Sequence, residues 1–73
     1  MIIMSQDEKQ IINFDKIIGI MQKDTEVMIR LENVDLTIGK YETISRSMEI
    51  LQEIMISYNS NKKVYIMPKE WEE

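Results

Sequence analysis

The side chains best suited to chemistry in this sequence are its thirteen carboxylates. Nine of them cluster in four groups: Asp7-Glu8, Asp24 with Glu26, Glu32 with Asp35, and Glu70 with Glu72 and Glu73. A carboxylate pair can divide acid and base roles between its members, and a carboxylate cluster can hold a hard cation through oxygen. Each group here falls in an expected turn or tail, where charge is ordinarily just solvated. None has the spacing of a calcium loop with its glycine. The other reactive types are missing. The chain has no histidine and no cysteine, so the commonest general base is absent, as are a thiol nucleophile and any Ser–His pair. A zinc finger is excluded for want of ligands. The two glycines, Gly19 and Gly39, are isolated and build no phosphate loop. The expectation is a protein that is not an enzyme, with no catalytic residue, no metal and no cofactor.

Composition narrows the partners. The net charge of −4 opposes a phosphate backbone. Lys and Arg are scattered, with Lys62-Lys63 the only adjacent pair, and no aromatic stacking set is interleaved with them. Nucleic acid is a disfavoured partner. No apolar run approaches the length of a membrane span, and "MIIMSQDEK" lacks the basic start and long apolar run of a signal peptide. A cytoplasmic location is expected. At 73 residues the chain makes one domain, and a core of that size is marginal without staples. With disulfides excluded, good local packing and self-association remain. A pocket for a small-molecule ligand is not evident at this size.

The elements that must position these residues change period once. Short apolar runs separated by polar turns predict strands within residues 2–41: "IIMS", "QIINF", "IIGIMQ", "EVMIRL" and "LTIGKY", with a break at Asp15-Lys16. Short connections make sequential strands antiparallel neighbours. Thr43 is a suitable N-cap, without the acid or amide at residue 46 that would complete a capping box. Ile44, Met48, Leu51, Met55 and Tyr58 then recur at helical spacing, which predicts a helix over about 44–58 that buries this stripe. Asn59-Ser60-Asn61 ends it, with Lys62 and Lys63 at its negative end. A last strand spans about 63–67, ahead of Pro68. The predicted architecture is α+β: an antiparallel meander of five to six short strands, one amphipathic helix on one face, and a short last strand.

One helix covers one face of a sheet, so the other face is the candidate contact surface. If Val27, Ile29, Leu31, Leu36 and Ile38 face the helix, alternation turns Met28, Thr37 and Tyr41 away. Tyr65 and Met67 are placed opposite Val64 and Ile66 by the same rule. Methionine is adaptable and overused on partner-binding surfaces. Met28, Tyr41, Tyr65 and Met67 are therefore the expected interaction surface, for a protein partner or for a second copy as a homodimer, with a sheet edge as the other route to self-association. Trp71, in the acidic tail, is expected to fold back over an apolar patch.

The residues "SQDEK", "IGKYETISRSMEILQEI" and "VYIMPKEWEE" give the chain a wider likeness. It resembles small proteins of unknown function from low-GC Gram-positive bacteria and their phages. The pattern is Gly39, Tyr41, Thr43 and Arg46 at the strand-to-helix junction; this chain departs from it at Ile44-Ser45, where two acids are usual. The resemblance implies a meander plus helix and carries over no catalytic residue. The function expected is that of a small accessory or adaptor protein acting by protein–protein contact, and the resemblance implies an origin in a phage or mobile element. The alternative is a nucleic-acid-associated protein or acidic mimic from a mobile element.

Overall fold

The computed structural model describes residues 1–69; the expected position of Trp71 lies outside the described residues. The element order is β1 (Ile2–Met4), β2 (Ile11–Asn13), a single 3-10 turn (Phe14–Lys16), β3 (Gly19–Lys23), β4 (Glu26–Arg30), β5 (Asp35–Lys40), α1 (Ile44–Asn59) and β6 (Val64–Ile66). The fold is α+β, as the change of period predicts.

The strands form two sheets rather than the one expected. The first has the order β2-β1-β6 and the second β3-β4-β5. The division falls at the 3-10 turn, where the Asn13 side chain accepts from the Asp15 N–H at 3.0 Å and turns the chain out of β2. The second sheet is the antiparallel meander. In the first, β1 is antiparallel to β2 but parallel to β6, which is possible because α1 supplies the long return that a parallel pair needs.

Gln6 ties the sheets together. Its side-chain Oε1 accepts from the Lys40 N–H at 2.7 Å, and its Nε2 donates to the Lys40 carbonyl at 3.0 Å and to the Pro68 carbonyl at 3.2 Å. Its own backbone N–H donates to the Ile38 carbonyl at 2.8 Å. One amide side chain thus behaves as a short strand against the outer edge of β5.

A β-bulge decides which side chains enter the core. Val27 pairs with Gly39 while Met28 pairs with Thr37, so Ile38 is an extra residue in β5. An extra residue inverts the alternation beyond it. Gly39 and Tyr41 therefore turn inward, and both are buried. Gly39 has to be glycine for space. A Cβ there would lie 2.8 Å from Met67 Cε and 2.9 Å from the Tyr41 ring.

The caps of α1 form as the residue types predict. Thr43 Oγ1 accepts from the Arg46 N–H at 3.0 Å. At the far end Asn61 takes a left-handed φ of 61°. The Lys62 N–H reaches the Ser57 carbonyl at 3.0 Å and the Asn61 N–H the Tyr58 carbonyl at 3.1 Å, the paired bonds of a Schellman ending.

The buried stripe of α1 is displaced from the expected one. Ser47, Ile50, Ile54 and Ser57 are buried, whereas Ile44, Met48, Met55 and Tyr58 are exposed and Leu51 is half-buried. The shift is one residue, or about 100° around the axis. Its cause is the pair of serines. Small side chains at 47 and 57 let the helix lie close on β3 and β4. The Ser47 hydroxyl, fully buried, accepts from Gln22 Nε2 at 3.0 Å and lies 2.8 Å from the Ile44 carbonyl. A larger residue there would lift the helix off the sheet.

Candidate interaction surfaces

Three of the four side chains expected to form the contact surface are in the core. Tyr41, Tyr65 and Met67 are buried, which corrects their placement on an exposed face. Tyr41 is turned inward by the bulge at Ile38, and its hydroxyl donates to the Pro68 carbonyl at 2.9 Å. Tyr65 and Met67 do lie opposite Val64 and Ile66, but theirs is the inner side. The Tyr65 hydroxyl finds Glu53 Oε1 at 2.7 Å, and the Met67 methyl lies over Gly39. Burial, then the neighbouring Glu53 carboxylate, pushes the Tyr65 hydroxyl well above its ordinary pKa of 10.0.

Met28 alone keeps its expected place on the outer face of the second sheet. It is half-buried, paired across the strands with Met21 on one side and Thr37 on the other. Polar pairs frame it. Thr37 donates to Glu26 at 2.8 Å, and Arg30 reaches Asp35 through Nε at 2.9 Å and Nη2 at 3.2 Å. The hydrogen bond from Arg30 holds the Asp35 carboxyl below the usual carboxylate range.

Asp7 and Asp24 serve turns, and the group of Glu70, Glu72 and Glu73 lies outside the described residues. Asp7 accepts from the Ser5 hydroxyl at 2.6 Å and the Lys9 N–H at 3.0 Å. The Ser5 hydrogen bond, then that of Lys9, holds its carboxyl below the ordinary range. Asp24 occupies the tight β3–β4 turn with a φ of 54°. Among the described residues no three acidic side chains gather where they could hold a metal ion. No described helix is long and apolar enough to cross a membrane.

Two apolar surfaces are exposed instead, and neither is the expected one. The first is the outer face of β2-β1-β6. The register sets Ile11, Met4 and Ile66 in one row, and Asn13, Ile2 and Val64 in the next. Five of these six side chains are aliphatic and none is charged. Ile11 is 67% exposed and Ile66 59%. An open trough of about 800 Å³ borders this face, where Ile2 and Val64 meet Tyr58 and Lys62. The second surface is the outward stripe of α1. Met55 is 64% and Met48 48% exposed. Beside it an apolar dent of about 160 Å³ is lined by Phe14, Ile20, Leu51, Ile54, Met55 and Tyr58. The Phe14 and Tyr58 rings close one end, centroids 5.1 Å apart.

A signal for the sheet face existed in the sequence. "IIM", "II" and "VYI" do not alternate; successive apolar residues are the pattern of strands covered on both sides. Protein-family models, curated proteins and solved structures return no match to this chain.

Proposed function

We propose that the protein is a small binding module that docks another protein on the outer face of β2-β1-β6, with no catalysis of its own. The observation that supports this is the uncharged aliphatic face formed by Ile2, Met4, Ile11, Val64 and Ile66. A parallel strand pair is ordinarily covered on both sides; β1 and β6 are covered on one. The partner's matching surface is apolar, since a charged group set against these side chains would lose its hydration without a counter-charge.

The test is affinity capture from a native lysate with the wild-type chain and with Ile66→Lys. Ile66 is exposed, so the variant should fold with an unchanged melting temperature. Loss of the captured protein in the variant supports the docking face. Capture that is indifferent to Ile66→Lys, and to Ile11→Lys, overturns it.

A further inference from the structure

We propose that two copies of this chain join along β3, through the outward stripe of α1, into a two-fold dimer with a continuous six-stranded sheet. The inference is independent of the docking face on β2-β1-β6.

The first observation is spacing. Ile44, Met48, Leu51, Met55 and Tyr58 follow one another at four, three, four and three residues. This is the interval at which two helices mesh side chains, and the chain covers it only in part, at Leu51 and where Phe14 meets Tyr58. Four of the five are exposed and the fifth is half-buried. Met55 is 64%, Ile44 54% and Tyr58 50% exposed, a run of neighbouring apolar side chains of the kind that marks an interaction site.

The second observation is the free edge beside the stripe. β3 is an outer strand of its sheet, and Ile20 of β3 lines the same dent as Leu51, Met55 and Tyr58. The stripe therefore overhangs the β3 edge. That edge, Gly19 to Lys23, has no proline, and its one charge, Lys23, stands at its end and leaves Gly19 to Gln22 open to pairing. The opposite edge of the same sheet, β5, is occupied by Gln6.

The two observations agree in their geometry. α1 lies over β3 and β4, so its axis runs near the line between them. Antiparallel pairing of β3 with its copy, at the usual strand spacing of about 4.8 Å, would set the two helix axes about 10 Å apart. Packed helices lie about 8–10 Å apart. The same two-fold axis that joins the strands thus brings the two stripes into contact. It sets the bulky Tyr58 end of one helix beside the slim Ile44 end of the other. It also opposes their dipoles favourably.

Charge permits this pairing. The residues flanking the stripe on its outer side are Ser45, Gln52 and Asn59, all uncharged. Glu49 and Glu53 project to the far side of the helix. Two chains of net charge −4 can therefore meet here without setting like charges face to face.

The test is molar mass by light scattering from about 1 µM to about 1 mM, with a dimer expected to form in the micromolar range. Met55→Glu should weaken it by about 30-fold or more, as loss of a central contact does. Met48→Glu should act likewise, and Ile66→Lys should leave the dimer intact. The chain has no cysteine, so Gln52→Cys provides a single thiol that a short bismaleimide should link across the two-fold axis. Hydrogen exchange of the β3 amides turned away from β4 should slow with concentration in the wild type and not in Met55→Glu. A monomer at every concentration overturns the proposal. So does a dimer that survives both glutamate substitutions. A dimer lost with Ile66→Lys but kept in Met55→Glu also overturns it, and assigns self-association to the sheet face instead.

Discussion

Gly39 shows how one residue directs its surroundings. It sits just past the bulge at Ile38, and Tyr41 and Met67 close over it within 3 Å of where a Cβ would be. Gly39→Ala should destabilise the fold by about 1–3 kcal/mol, the range for an extra methyl forced into a packed site. Denaturant unfolding measures it, and an unchanged midpoint would show that the ring and the methionine move aside freely. Tyr65 carries a pH signature. Its hydroxyl is neutral in the fold and bonded to Glu53, and its folded pKa is raised above the ordinary 10.0. The unfolded chain therefore loses this proton first as pH rises. The native state then binds more protons, and stability falls with pH. The contribution is fully present below about pH 10 and declines above it. Thermal melts at pH 9 and about pH 11 should show a drop that is smaller in Tyr65→Phe.

At the scale of the element, α1 separates two neighbouring stripes. Ile50 is fully buried and Leu51 only partly. Ile50→Ala should cost about 2–5 kcal/mol, as truncation of a buried aliphatic does, and Leu51→Ala clearly less. Paired melting curves would decide between the two stripes, and the reverse order would return the helix to the face expected from its sequence. The positions of the elements were legible because turns and caps are written in local residue types: Asn13, Asp24, Thr43 and Asn61 each bond or bend as their chemistry requires. The rotation of α1 was not legible. Its apolar arc spans about half the helix, since each residue turns it by 100°, and Ser47 and Ser57 do not look like core residues until a sheet is set against them. The candidate surface failed for a related reason. Only the register at Ile38, a non-local property, sends Tyr41 inward, although an isolated glycine within a strand pattern, Gly39, is the signal that a bulge gives. The aliphatic face of the first sheet depends on β6 pairing with β1 across some sixty residues, which no local pattern specifies.

For the whole molecule, the joint between the two sheets is the Gln6 side chain. It both donates and accepts at Lys40, and it shares the Pro68 carbonyl with Tyr41. Gln6→Ala should cost about 1–3 kcal/mol, since each bond contributes roughly 0.5–1.5 kcal/mol and the site is half open to water. Gln6→Glu is the sharper test. The carboxylate can still accept from the Lys40 N–H, but it has no proton for the carbonyls of Lys40 and Pro68 and faces them with like partial charge. Its folded pKa should therefore rise above the ordinary glutamate value of about 4.3. A raised carboxyl pKa means that the native state takes up a proton before the unfolded one does. The variant should then lose stability relative to wild type at pH 7 and regain much of it near pH 4, where a protonated carboxyl can donate as the amide does. Denaturant unfolding of both chains at the two pH values makes the comparison. A deficit that is the same at both would mean that the two carbonyls do not depend on this donor, and that the sheets are held together by the backbone bond from Gln6 to Ile38 and by the shared apolar core of Ile3, Ile29 and Ile54.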